Sequence, residues 1–245
     1  AGKTSSINFK LPGNWRPLQL LGSGSYANVA AFEKDGKDIA VKKVERVFEH
    51  PVLTLRTLRE VRLLAHLQHP NVLLLKELFL DGPDFQDVYL CLERMDGDLH
   101  QLIHGSKQYL SDRQVQCVLY QMMRGLLCLR CAHVIHRDLK PGNVLVRAGG
   151  EVKIGDLGMA RGIDADEDGH DEMMLTEYVV TRHYRAPEVV LTACKYTYAV
   201  DMWSAGCILG EMLMRRPVFE GKDSLDQVKK IIGVLGWQTE EDLAW

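Results

Sequence analysis

The first third of the chain alternates apolar and polar residues in the way that is typical of β-strands. Residues 18–44 hold two such runs, and Asp35-Gly36 lies between them. An Asp-Gly pair between two apolar runs indicates a tight β-hairpin. Residues 53–67 then place apolar side chains every three or four positions, which predicts a helix. Two shorter apolar runs, residues 73–79 and 88–92, predict further strands.

The pattern becomes helical from Tyr109 onwards. Ser111 followed by Gln114 is a capping-box start, and the apolar residues after it recur at helical spacing. Residues 225–235 predict another helix. We therefore expect an α+β fold with two lobes, a small β-rich lobe over residues 1–94 and a larger, mainly helical lobe over residues 95–245. A cleft between two such lobes is a common place for a ligand site.

Composition and charge exclude several classes of protein. The chain has 245 residues, 46% of them hydrophobic, and 30 Lys and Arg against 33 Asp and Glu. This balance predicts no basic surface for nucleic acid and no polybasic membrane patch. No apolar run approaches the roughly 18 residues of a transmembrane helix, and the first ten residues lack the apolar segment of a signal peptide. The six cysteines lie mostly in apolar stretches, which is typical of a reduced, intracellular protein.

A glycine-rich segment is the first candidate for chemistry. Gly22-Ser23-Gly24-Ser25-Tyr26-Ala27 nearly matches the pattern G-x-G-x-x-G. A strand follows it here, whereas a dinucleotide-binding fingerprint opens a helix. A glycine-rich hairpin lets backbone N–H groups approach phosphates closely. Lys42 lies on the strand behind this segment and would reach phosphate oxygens, and Glu60 on the predicted helix would hold Lys42 in place.

A second set of motifs has the residue types that phosphoryl transfer needs. His136-Arg137-Asp138-Leu139-Lys140-Pro141-Gly142-Asn143 is followed by Asp156-Leu157-Gly158. Asp138 would accept the proton of the attacking hydroxyl, and Lys140 would neutralise the moving phosphoryl group. Asn143 and Asp156 supply the hard oxygen ligands that suit Mg²⁺. Asp201, in a later helix, would brace the loop that carries Asp138.

With Ala186-Pro187-Glu188 added, these motifs make the chain resemble the eukaryotic protein kinases over nearly its whole length. The resemblance implies the bilobal protein-kinase fold, with Mg²⁺ and ATP as cofactors. It also implies an ATP site built from the glycine-rich segment, the strand lysine and the residues around adenine and ribose. These residues are Leu21, Gly22, Ser23, Gly24, Ser25, Tyr26, Ala27, Asn28, Val29, Ala40, Lys42, Leu92, Glu93, Met95, Asp98 and Leu145.

The subfamily is indicated by Thr176-Glu177-Tyr178, which lies shortly before Ala186. It resembles the dual-phosphorylation lip of MAP kinases, in the form of the extracellular-signal-regulated branch. The resemblance implies activation by phosphorylation of Thr176 and Tyr178 through an upstream dual-specificity MAP kinase kinase. It implies protein substrates with Ser/Thr-Pro sites, a proline pocket shaped by residues 179–185, and a location in the cytoplasm and nucleus.

Three substitutions depart from the family pattern: Ala27 for a glycine, Leu157 for a phenylalanine and His183 for a tryptophan. The sequence also stops at Trp245, short of a complete kinase of this family, so we expect a C-terminally truncated lobe that lacks its last helices. The alternative is therefore a truncated, non-catalytic, kinase-like binding module. Intact Lys42, Asp138 and Asp156 favour an enzyme, and a metabolic phosphotransferase would have no use for the lip.

Overall fold

The structure is a computed structural model that describes residues 8–24, 27–162, 182–191 and 197–237. Its first part is an antiparallel sheet of five strands, in the order β1-β2-β3-β5-β4. The sheet and its helix confirm the β-rich start that the sequence pattern predicts. The elements are β1 (Arg16–Ser23), β2 (Ala27–Lys34), β3 (Lys37–Val44), α1 (Pro51–His66), β4 (Leu75–Leu80) and β5 (Val88–Glu93).

The hairpin between β2 and β3 forms at the predicted dipeptide. Lys34 pairs with Lys37, and Asp35 and Gly36 between them have φ angles of 51° and 71°. A two-residue hairpin turn of this kind needs a positive φ at both central positions, which Asp and Gly tolerate best. The turn fixes the register of β3, and with it the position of Lys42 opposite Val29.

The second part of the chain is mainly helical. The capping box at Ser111 is confirmed, because the Ser111 N–H donates to Gln114 Oε1 at 2.9 Å and the Ser111 hydroxyl oxygen accepts from the Gln114 N–H at 3.4 Å. The helices are α2 (Leu99–His104), α3 (Asp112–Cys131), α4 (Pro187–Leu191), α5 (Ala199–Met214) and α6 (Ser224–Leu235). This part also contains two small sheets. The strands are β6 (Gly97–Asp98), β7 (Val134–Ile135), β8 (Val144–Val146), β9 (Val152–Ile154) and β10 (Arg161–Gly162). One sheet has three strands in the order β6-β8-β9 and the other pairs β10 with β7.

One hydrophobic cluster runs through both parts of the fold. It joins Ala40 and Leu64 of the sheet and α1 to Leu126 of α3 and Ile208 of α5. The strand-rich part ends at Glu93 and the helix-rich part follows, so the predicted α+β class and its two-lobe arrangement are confirmed. Within the residues that the structure describes, no helix combines the length and the apolar character needed to cross a membrane.

Candidate active site

A cleft of about 830 Å³ separates the five-stranded sheet from the helical part. This volume is within the range of sites that bind nucleotides and other small molecules. Most of the site residues that the sequence predicts lie on its wall. They are Leu21, Gly22, Ser23, Gly24, Ala27, Val29, Ala40, Lys42, Glu60, Leu92, Glu93, Met95, Asp98, Asp138, Lys140, Asn143, Leu145 and Asp156.

Asn28 is the exception among the described residues. Successive side chains of a strand point to opposite faces of the sheet, and Ala27 and Val29 on either side of Asn28 face the cleft. Asn28 is buried on the other face, where its amide oxygen accepts the Ser23 hydroxyl at 2.7 Å. It holds the two strands of the glycine-rich hairpin together. Ser25 and Tyr26 lie outside the described residues.

Lys42 is a cation on the side of the cleft that the five-stranded sheet forms. Its Nζ lies 2.7 and 2.8 Å from the two carboxylate oxygens of Glu60, and 3.5 Å from Oδ1 of Asp156. Burial alone would lower the pKa of Lys42, but the two carboxylates outweigh burial and raise it. The lysine is therefore a fixed positive charge on the cleft wall. In turn, the Lys42 ammonium lowers the pKa of Asp156, which keeps that carboxylate ionised.

The loop after β7 brings two predicted residues, Lys140 and Asn143, against Asp138. Lys140 Nζ lies 2.8 Å from Asp138 Oδ2, and the Asn143 amide nitrogen donates to Asp138 O at 2.7 Å and to Oδ2 at 3.1 Å. These contacts fix the orientation of the Asp138 carboxylate toward the cleft. The Gly155 N–H donates to Asn143 O at 2.9 Å, which places Asp156 beside this loop.

Buried polar groups also fix the position of the loop that carries Asp138. Asp201, in the first turn of α5, accepts the backbone N–H of His136 at 2.8 Å and that of Arg137 at 2.9 Å. The His136 ring lies 3.0 Å from Gly155 O through Nε2 and accepts the Asp138 N–H at Nδ1, at 3.3 Å. This arrangement requires the proton on Nε2. The expected bracing of the loop by Asp201 is present in the structure.

Two of the six described non-glycine residues with a positive φ lie at this site. Arg137 and Asp156 have φ angles of 68° and 57°, in the left-handed region that residues with a Cβ rarely adopt. Both positions lie directly beside groups that face the cleft. Strained residues persist only where their surroundings hold them, and here the Asp201 and Lys42 contacts do so.

Two of the three departures from the family pattern are explained by local geometry. Ala27 is not among the residues with a positive φ, so a Cβ is accommodated there without backbone strain. Leu157 is completely buried in the main core cluster, so it fills its apolar position. Neither substitution removes a polar group from the cleft.

Sequence reasoning did not single out every residue of the cleft. Arg56 and Thr57 also line it, and they lie four and three positions before Glu60 on α1. Residues at this spacing share one face of a helix, which is the signal that would have found them. Gln101 of α2 lines the opposite rim, and no motif marks it. Thr176 and Tyr178 lie outside the described residues.

Comparison with known proteins agrees with the resemblance to protein kinases that the sequence motifs indicate. The family described as "Protein kinase domain" matches residues 15–243. The chain is 45% identical over 239 residues to mitogen-activated protein kinase homolog NTF3 of Nicotiana tabacum, covering 96% of this chain and 63% of that protein. It is 44% identical over 239 residues to extracellular signal-regulated kinase 1 of Dictyostelium discoideum, covering 96% of this chain and 44% of that protein. It therefore spans less than two thirds of the length of these relatives.

Proposed function

This chain belongs to the protein kinase domain family, and from that premise we propose that it transfers the γ-phosphoryl group of ATP to serine or threonine side chains of proteins. The observation that carries the proposal is the meeting of two independent charged groups in one cleft. Lys42 and Glu60 come from the sheet and α1, and Asp138 and Lys140 come from the loop after β7. These are the residue types that phosphoryl transfer needs, and both pairs line the same cleft.

The chain supplies the groups that move or neutralise charge. Asp138 is the general base, since its carboxylate is oriented by Lys140 and Asn143 and would accept the proton of the substrate hydroxyl. Lys140 lies beside it and stabilises the negative charge of the group in transfer. Lys42, anchored by Glu60, binds phosphate oxygens at the other end of the cleft. Its raised pKa means that it carries its charge throughout the physiological range.

The residues of the cleft fit ATP and Mg²⁺. Val29, Ala40 and Leu145 offer apolar surfaces for a flat base, and Asp98 lines the same cleft, where we assign it to the ribose. Asn143 uses its amide nitrogen for Asp138, which leaves the amide oxygen for a cation, and Asp156 adds an ionised carboxylate. When bound, Mg²⁺ neutralises and orients the phosphates.

The finer assignment follows the relatives, whose names are those of mitogen-activated protein kinases. We assign Thr176 and Tyr178 as phosphorylation sites for an upstream dual-specificity kinase, and Ser/Thr-Pro sites of proteins as substrates. The division of the chain near residues 94 and 95 belongs to the same proposal, as does an intracellular location in the cytoplasm and nucleus. The identity with these relatives supports the assignment, and the Thr-Glu-Tyr motif supports the two phosphorylation sites.

The decisive experiment is phosphoryl transfer from Mg-ATP to a peptide with one Ser-Pro site, before and after treatment of the chain with a dual-specificity kinase. Asp138→Asn should lower turnover by about 10²–10⁴-fold, the usual contribution of a general base. Its affinity for ATP should change little, because Lys42 and the apolar wall are untouched. Asp84→Asn, an exposed aspartate outside the cleft, is the matched control. Nucleotide binding without any transfer would contradict the proposal and favour a binding module.

A further inference from the structure

Three elements of the helical part meet at one buried carboxylate. Glu211 of α5 is only 1% exposed. Its Oε2 accepts the Tyr184 hydroxyl at 2.6 Å, and its Oε1 lies 2.8 Å from Nε2 of His104 in the last turn of α2. These three residues are far apart in the sequence and none belongs to the motifs around Asp138. Their arrangement therefore calls for an explanation of its own.

Each oxygen of the carboxylate has one side-chain donor. A buried carboxylate is costly unless its oxygens accept hydrogen bonds. Burial, together with the hydrogen bond to Glu211, raises the pKa of the Tyr184 hydroxyl, so that hydroxyl remains a donor. Because a carboxylate can only accept, His104 Nε2 must be the donor to Oε1. Loss of His104 would leave that oxygen without its donor and release the carboxylate from one of its two anchors.

Helix α5 carries this carboxylate and also holds the loop of the active site. Asp201, in its first turn, binds the backbone of His136 and Arg137. One turn later, the Ser204 hydroxyl donates to Tyr184 O at 2.8 Å. The short segment Arg182–Tyr184 is therefore tied to the same helix by its main chain and by its tyrosine side chain. Its position relative to Asp138 depends on these contacts.

His104 itself is held firmly in place. Helix α2 begins at the rim of the cleft, where Asp98 caps it by accepting the Gln101 N–H at 2.8 Å. Its other end is fixed to α5, because Arg215 Nε donates to Ile103 O at 3.0 Å. The His104 side chain, 32% exposed, thus bridges two anchored helices.

We propose that His104 is a positioning residue for protein-substrate binding, which acts through Glu211 on Tyr184 and so on the segment Arg182–Tyr184. The proposal rests on the proposed kinase function, since that function implies that residues 179–185 receive the substrate. The residue touches neither ATP nor the reacting atoms. Its effect should therefore appear in the binding of the protein substrate and be nearly absent from the binding of ATP.

The test compares His104→Leu with His100→Leu in the full 245-residue chain. His100 lies one turn earlier on α2, with its ring 4.6 Å from that of His104, and is exposed. We expect His104→Leu to raise the KM for a Ser-Pro peptide about tenfold, the effect of losing one charge-assisted hydrogen bond, and to leave the KM for ATP within about twofold. His100→Leu should match the parent chain. His104→Gln, which keeps an N–H donor, should restore most of the peptide affinity.

Two further measurements separate the possible failures. Tyr184→Phe removes only the hydroxyl on the other oxygen of Glu211, and should raise the peptide KM in the same way. Equal peptide KM values for His104→Leu, Tyr184→Phe and the parent, or an equal rise for peptide and ATP, would overturn the proposal. If the parent chain transfers no phosphoryl group, the proposed function fails. Fluorescence anisotropy of the labelled peptide, with a non-hydrolysable ATP analogue, then decides the role of His104 by the same comparison.

Discussion

The ion pair between Lys42 and Glu60 should contribute far more to stability than an exposed pair of the same geometry. The side chains of Lys42 and Glu60 are 17% and 6% exposed. Among the residues that the structure describes, Glu60→Gln leaves the lysine with only the more distant Asp156 carboxylate. Removing one partner of a buried pair typically costs about 3–5 kcal/mol, and the remaining contact places our expectation near the lower value, about 3 kcal/mol.

The matched control is Glu77→Gln, in the same sheet. Lys34 Nζ lies 2.5 and 2.7 Å from the two oxygens of Glu77, but these side chains are 20% and 40% exposed. Such a pair is worth less than about 1 kcal/mol.

Urea unfolding followed by circular dichroism measures both variants. With a slope of about 3 kcal/mol/M, the midpoint should fall by about 1 M for Glu60→Gln and by about 0.3 M or less for Glu77→Gln. Equal losses would refute the argument that burial sets the strength of the pair.

Two further predictions concern the buried side chains of Asp201 and Cys91. Asp201→Asn keeps one acceptor oxygen but loses the other, so one N–H of the His136–Arg137 backbone is left unpaired. We expect a loss of about 1–3 kcal/mol in urea unfolding and a lower turnover at unchanged ATP affinity; unaltered turnover would show that this support is dispensable. Burial raises the pKa of Cys91 to about 12, whereas Cys131 is exposed. Iodoacetamide at pH 8 should therefore label Cys131 in the folded chain and Cys91 only after unfolding, as peptide mass spectrometry would show; rapid labelling of Cys91 in the folded chain would contradict its burial.

Local features of the fold could be predicted from the sequence because a few neighbouring residues determine them. The turn at Asp35-Gly36 needs positive φ angles that these residues tolerate, and the capping box at Ser111 is completed within one helical turn. The residues around adenine and ribose were assigned through the family resemblance, and the charged residues of the cleft were found for a different reason. Phosphoryl transfer restricts the residue types and spacings around Asp138 so strongly that the motif alone indicates the chemistry.

The motif misplaced one residue within its own segment. Asn28 follows the glycines, so its place in the motif suggested the ATP site, but strand alternation turns its side chain to the other face.

Contacts between distant segments could not be predicted from a motif or from periodicity. Glu211 and His104 are 107 residues apart and lie in no motif. Only the packing of α2 against α5 brings them together, and periodicity does not fix how two helices meet.

The left-handed backbone of Arg137 and Asp156 has a consequence for selection experiments. A side chain with a Cβ costs about 1–2 kcal/mol in this conformation, and glycine would avoid that cost. A library screened only for heat resistance should therefore tolerate glycine more readily at Arg137 than at Asp156, where glycine also removes a charge partner of Lys42. A screen for phosphoryl transfer should reject glycine at Asp156. The residues that the two screens select should differ at these positions. The difference would identify positions where the chain has lower stability because its activity requires a particular side chain.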